Sequence, residues 1–255
     1  MYKKIRSILV SQPEPADLDK SPYKKIVDDY KIAVHFRPFV RIDGRTASDF
    51  RKDKVYLNDY TAVIFTSRNA IDHFFRIAKE MRYEVPPSMK YFCISESTAY
   101  YLQKYVQYRK RKTFYANQNF DELMELIERH EDENFLLPCS NIHKLKILDM
   151  LDNSGIQYTK AVIYETVGDD LSDVNPKDYD LIVFYSPGSV VSFVKNFPDF
   201  KQEDTLFAAF GATTINSVEK HGFEVNIKAP TRKALSMTAA IEDYLKEVYK
   251  RKRKK

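Results

Sequence analysis

Short apolar or β-branched runs alternate along the chain with stretches whose apolar positions recur every three to four residues, a pattern that predicts strands separated by helices. The runs expected as strands are 5–10, 32–36, 62–65, 91–94, 113–115, 135–137, 158–162, 181–185, 206–210 and 224–227. Between them the period is helical. Over 69–79, for example, Ala70, Phe74 and Ala78 share one face, and Ile71 and Phe75 widen it. A βαβα order of this kind defines an α/β fold in which open parallel sheets are covered by helices.

An internal repeat refines the picture. Residues 62–71 align with 181–190, which pairs Ser67 with Ser186. Residues 92–99 align with 208–215, pairing Thr98 with Thr214, and Leu123 then matches Met237. The offset shrinks by only a few residues, as small loop deletions would produce. The middle of the chain supplies five strands of one repeat, whereas the C-terminal part supplies three. The N-terminal strands at 5 and 32 complete the second set, and Leu9-Val10-Ser11-Gln12-Pro13 parallels Leu137-Pro138-Cys139-Ser140-Asn141. Two similar domains follow, one of them discontinuous and circularly permuted. The expected boundaries are 1–36 plus 169–250 for the outer domain and 43–161 for the inserted one. Segments 37–42 and 162–168 form a two-stranded hinge beside a cleft, and 251–255 is a basic tail.

Composition narrows the chemistry. With 255 residues and 44% apolar side chains the chain can bury ordinary cores without staples. The formal charge is +5, but Lys250 to Lys255 are all basic, so the rest is close to neutral and lacks the broad basic face of a nucleic-acid binder. Nucleic acid is expected as a partner only through that tail, with Arg109-Lys110-Arg111-Lys112 a further local patch. Cys93 and Cys139 stand far apart in no metal-binding spacing, which points to free thiols and a cytoplasmic location. No apolar run approaches the length of a membrane span. The six glycines form neither a dinucleotide nor a phosphate cradle, and the five histidines make no zinc motif, so neither a metal nor a cofactor is expected.

Ligands of open parallel sheets bind beyond the carboxyl ends of the strands, where loops lead into helix N-termini. Those positions are rich in hydroxyls and small residues here: Gln12, Ser67, Asn69, Ser97, Thr98, Ser140, Ser186, Gly188, Ser189, Gly211, Thr213 and Thr214. Helix capping accounts for any one of them, as where Ser186 precedes Pro187. Converging on one cleft, the set would suit a large polycarboxylate, since each helix terminus contributes roughly 0.3–1 kcal/mol to an anion.

Several segments together resemble the uroporphyrinogen-III synthase family. They are Tyr164-Glu165-Thr166, Thr66-Ser67-Arg68-Asn69-Ala70-Ile71, Phe210-Gly211-Ala212-Thr213-Thr214 with His221-Gly222-Phe223-Glu224-Val225, and Ala229-Pro230-Thr231. The resemblance covers nearly the whole chain and implies a cofactor-free enzyme. Its substrate would be the linear tetrapyrrole hydroxymethylbilane, closed with loss of water and inversion of the last pyrrole ring. It also implies an assisting tyrosine at Tyr164, whose phenol is protonated at neutral pH with an ordinary pKa of about 10. A monomer is expected, because a two-domain clamp needs no partner.

The sequence departs from the family pattern in three places. Gln12 stands where many members carry arginine, Ser95 where glycine is usual, and Pro138-Cys139-Ser140 where Arg-Gly is more common. Arg68, Lys144 and Lys146 are the candidate replacement cations. A second reading is therefore a non-catalytic relative that binds a tetrapyrrole or another polyanion in the same cleft.

Overall fold

Strands β1 (Ser7–Val10), β2 (Ala33–Phe36) and β3 (Val40–Gly44) open the chain, with α1 (Lys24–Tyr30) between the first two. There follow α2 (Ala47–Lys52), β4 (Ala62–Phe65), α3 (Arg68–Glu80), β5 (Lys90–Cys93), α4 (Glu96–Leu102), β6 (Thr113–Tyr115) and α5 (Phe120–Glu128). Next come β7 (Phe135–Ser140), α6 (Leu145–Ser154) and β8 (Tyr158–Gly168). The chain closes with β9 (Leu181–Phe184), α7 (Pro187–Asn196), β10 (Leu206–Phe210), α8 (Ala212–Lys220), β11 (Ile227–Ala229) and α9 (Met237–Lys252). This computed structural model describes residues 3–117, 119–141 and 145–252, without the side chains of 145, 146 and 250–252.

The chain divides into two compact units, Met1–Arg41 with Val167–Lys255, and Ile42–Thr166. The first holds a five-stranded sheet in the order β11-β10-β9-β1-β2, and every pairing in it is parallel. The other sheet has the order β3-β8-β7-β4-β5-β6, with parallel pairing from β8 through β6. Reading β6-β5-β4-β7-β8 against β11-β10-β9-β1-β2 gives one spatial order from two chain orders. The two sheets are thus circular permutations of each other, and the fold is α/β with one unit discontinuous.

Both central strands, β4 and β9, are buried at all four positions. A strand covered on both faces must be apolar throughout, and its side chains divide by alternation. Leu181 and Val183 join a core with Ile26 of α1 and Ile241 and Leu245 of α9, whereas Ile182 and Phe184 join one with Val190 and Phe193 of α7 and Val218 of α8. In the second unit Val63 and Phe65 pack with Ile71 and Phe74 of α3 and Leu102 of α4, and Ala62 and Ile64 with Leu123 of α5 and Leu151 of α6. Helix α3 buries Ala70, Ile71, Phe74, Ile77 and Ala78 along the expected stripe, while Phe75 stacks on Tyr105 at 4.5 Å. Loss of the buried Phe74 ring would cost about 3–5 kcal/mol.

The strand expected at 224–227 lies instead at Ile227–Ala229. The Asn226 side chain explains the shift: its Oδ1 accepts from the Phe207 amide at 2.8 Å, so a side chain occupies the start of the ladder. The strand at 158–162 and the crossing at 162–168 are one continuous element, β8, and β3 is its neighbour in the sheet. Helix α9 carries the chain to Lys252, into the segment expected as a basic tail, and 253–255 lie outside the described residues.

Arg37, at the end of β2, donates to Asp169 at 2.6 Å and to Asp173 at 2.9 Å, and also to the carbonyls of Pro38 and Asp170. Asp169 accepts from Arg41 as well, and the two guanidiniums hold its carboxyl below the usual carboxylate range. Cys93 and Cys139 are free and buried; burial pushes their thiols up to about 12 and about 11, which keeps both protonated at neutral pH. No helix among the described residues is long and apolar enough to cross a membrane.

Candidate active site

Strand β4 ends where Ser67 turns the chain into α3. Ser67 adopts extended backbone, and its Oγ accepts from the Ala70 amide at 3.1 Å, so it is the N-cap of a thirteen-residue helix. The same Oγ lies 3.2 Å from the phenolic oxygen of Tyr164, in a hydrogen bond that either hydroxyl can donate. Tyr164 projects from β8 and is 8% exposed. Its ring stacks on His73 of α3 at 5.0 Å with planes 20° apart. The Nδ1 of His73 accepts from Arg76 Nε at 3.2 Å, and burial, then the nearby guanidinium, lowers its pKa below the ordinary 6.5. The imidazole is accordingly neutral, packed against the phenol from the side.

Ser140 completes this group. A bulge between Cys139 and Ser140 shifts the β7–β8 register and sets Ser140 directly opposite Tyr164. The Ser140 hydroxyl donates to Asn141 Oδ1 at 3.2 Å, and Asn141 Oδ1 also accepts from the Thr166 amide at 2.9 Å. Burial raises the Tyr164 phenol above its usual range against the smaller pull of the Ser67 hydrogen bond, so Tyr164 keeps its proton at neutral pH. Ser67, Ser140 and Tyr164 are therefore brought together within one unit. Sequence reasoning missed His73: a single histidine on an amphipathic helix carries no motif, and its only signal was Arg76 one turn later.

Other expected residues form separate clusters. Ser95 caps α4 through the Thr98 amide at 3.2 Å, and its Oγ lies 3.0 Å from Ser97 Oγ and 2.9 Å from Thr98 Oγ1. Ser97 is exposed and Thr98 buried, while Asn69 is exposed in the first turn of α3. Arg68 sits over the Tyr101 ring at 5.3 Å. Lys144 and the side chain of Lys146 lie outside the described residues.

In the first unit Ser186 repeats the arrangement of Ser67. Its Oγ accepts from the Ser189 amide at 3.1 Å, Pro187 opens α7, and buried Ser189 completes a capping box through its own hydroxyl. Gly188 is half-buried in the first turn. Gly211 caps α8 without a side chain, at φ 86° and ψ 147°, while Ser95 at the matching place of the repeat keeps extended backbone and caps with its hydroxyl. Thr213 is exposed and Thr214 is buried beneath it. At the end of β1, Gln12 is exposed. Its neighbour Ser11, absent from the expected set, is 5% exposed, and its Oγ has no hydrogen-bond partner among the described residues.

Two permuted parallel-sheet units, each with capped helix N-termini and hydroxyls along its carboxyl edge, define an α/β protein of the class that binds ligands beyond its strand ends. Comparison with known families specifies which. The profile of uroporphyrinogen-III synthase HemD matches residues 21–239, and the chain belongs to the uroporphyrinogen-III synthase family. Among solved structures it is similar to uroporphyrinogen-III synthetase from Helicobacter pylori 26695, with a TM-score of 0.61 at 18% identity over 95% of this chain and 100% of that one. It is also similar to a mutant uroporphyrinogen III synthase from Thermus thermophilus, with a TM-score of 0.52 at 10% identity over 94% and 99% of the two chains. At these identities the structures establish the fold. No curated protein sequence matches the chain.

Proposed function

We propose that the protein closes hydroxymethylbilane to uroporphyrinogen III, with Tyr164 as the acid that assists departure of the terminal hydroxyl. The family match over 21–239 carries the reading, and the Tyr164 surroundings support the residue assignment. The phenol shares its proton with the leaving oxygen as the C–O bond breaks, and water departs. The pyrrole nitrogen lone pair fills the gap, giving an azafulvene; the displaced pyrrole proton restores the phenol. The far ring then attacks at its substituted carbon, and the spiro product fragments and recloses inverted.

The substrate supplies most of the reactivity, so the protein's larger task is to hold the chain folded toward the crowded attack. Ser67 and the neutral His73 ring support that assignment by fixing the phenol from two directions. Hydroxyls and open amides at the edges of both units would take the carboxylates, among them Gln12, Asn69, Ser97, Thr213 and the turns at Gly188 and Gly211. The buried free thiols support a reducing compartment, the cytosol.

Purified protein given enzymatically generated hydroxymethylbilane should form the type III isomer faster than the uninverted isomer forms alone. An unchanged isomer ratio would remove the activity.

A further inference from the structure

We propose that the first unit holds a subsite for one pyrrole ring of the linear tetrapyrrole, walled by Tyr23, Phe36, Tyr185 and Phe210, with an acid arm of that ring passing to Lys233. The proposal rests on the function stated above; of its residues only Phe210 falls in a segment that carries the family resemblance, and Tyr23, Phe36, Tyr185 and Lys233 lie outside both those segments and the hydroxyl pattern.

A cavity of about 330 Å³ lies at the carboxyl ends of β1, β2, β9 and β10, lined by these four rings together with Gln12 and Leu235. Small-molecule sites run from about 300 to 1,000 Å³, so this one admits a substituted ring and excludes a whole tetrapyrrole. Its walls are aromatic on two sides: Tyr23 meets Phe36 edge-on at 5.4 Å, and Tyr185 lies against Phe210 at 5.8 Å. An electron-rich pyrrole matches such walls in stacked or edge-on contact. Leu235, 79% exposed, stands at the same cavity; a single exposed leucine is ordinary, but here it extends an aromatic slot.

The polar groups are specific as well. The hydroxyls of Tyr23 and Tyr185 are 2.8 Å apart, and burial holds both phenols above the usual tyrosine range. Both therefore keep their protons. One hydrogen closes the bond between them, and the other has no acceptor among the described residues, which leaves the slot with a donor for a carboxylate. Beside it lies a larger polar hollow of about 760 Å³ that shares Ser21, Pro22, Ser236 and Thr238 with the first. Lys24, Lys25 and Lys246 of that hollow are each paired with a carboxylate. Lys233, which lines it too, has no ion pair among the described residues. A pyrrole bearing acid arms offers an apolar face to the slot and an anion to that lysine.

The test uses the full chain with Leu235→Asp, which sets a negative charge at an exposed position, and Lys233→Gln. With hydroxymethylbilane, KM should rise about tenfold for Leu235→Asp and about threefold for Lys233→Gln, with kcat nearly unchanged. Unchanged KM in both variants of an active enzyme overturns the subsite. Should wild type form no type III isomer, the functional reading fails and the subsite is read separately. The probe is then a monopyrrole with one acetate and one propionate arm, followed by NMR shifts of the Leu235 methyls. Saturable shifts in wild type support the subsite, and their absence overturns it.

Discussion

The Ser67 hydroxyl serves two partners at once: it accepts from the Ala70 amide at 3.1 Å and meets the Tyr164 phenol at 3.2 Å. The residue that starts α3 thereby also orients the one buried phenol at the end of β8. With Tyr164 in its proposed role, capping and chemistry share an atom, so losing that atom should show in both stability and turnover.

Tyr164→Phe keeps the ring against His73 and removes only the hydroxyl. It should lower kcat by roughly 10–100-fold with thermal stability nearly unchanged. Ser67→Ala should lower kcat by a smaller factor and stability by about 1 kcal/mol. Asn119→Ala, which removes the cap on α5, provides the comparison: a similar stability loss with full turnover. Steady-state kinetics beside thermal melts separate the two effects.

The His73 imidazole should make stability depend on pH. Its folded pKa lies below the ordinary 6.5 because burial and Arg76 oppose the cation. Below about pH 6.5 the unfolded chain binds a proton there that the folded chain refuses, so stability rises with pH through that window. The contribution is fully present above 6.5 and is lost as pH falls toward the folded pKa. Denaturant melts between pH 7.5 and 5.5, a range chosen to stay above carboxylate titration, should show a slope in wild type that shrinks in His73→Gln. An equal slope in both would contradict it.

The fold was legible in the sequence because its signals are local or repeated. Four-residue apolar runs such as 62–65 and 181–184 mark strands covered on both faces, and the shared Ser67 and Ser186 turns tie the two sheets together. The permutation followed from counting strands on either side of that match. Less legible were features made by distant side chains. Asn226 displaced the last strand by hydrogen bonding to Phe207, a contact that β-propensity does not encode. Tyr23 and Tyr185 meet across 162 positions, and each reads alone as a packing tyrosine. The bulge at Cys139 and Ser140 left no mark beyond an unusual Pro-Cys-Ser, yet it decides that Ser140 faces Tyr164.

The two glycines of the candidate edge in the first unit should respond differently to alanine. Gly211 has φ 86° and ψ 147°, a region open essentially to glycine alone, although a Cβ there would touch nothing within 4 Å. Gly211→Ala should therefore cost about 1–3 kcal/mol through backbone strain rather than through a clash. A Cβ on Gly188 would meet Val40 Cγ1 at 3.5 Å, an ordinary contact, in the first turn of α7. Gly188→Ala should leave stability unchanged or raise it by up to about 1 kcal/mol. Chemical denaturation of the two variants decides the matter.

Ser11→Ala should stabilise the protein. The Ser11 amide donates to the Val183 carbonyl at 3.0 Å, and that bond survives the change. The hydroxyl is the part without a partner, and burying one in that state costs about 1–3 kcal/mol. Removing it leaves a void of one oxygen atom, a smaller penalty, so a gain of about 1 kcal/mol is expected. For a chain of this length that corresponds to a rise in Tm of about 2–4 °C. Kinetics give the reason for the residue. A higher Tm with a higher KM for hydroxymethylbilane would mean that Ser11 is held unpaired for the substrate, a trade of stability for binding. A higher Tm with unchanged kinetics would make it a packing residue, and a lower Tm would show that the hydroxyl has found a partner in solution.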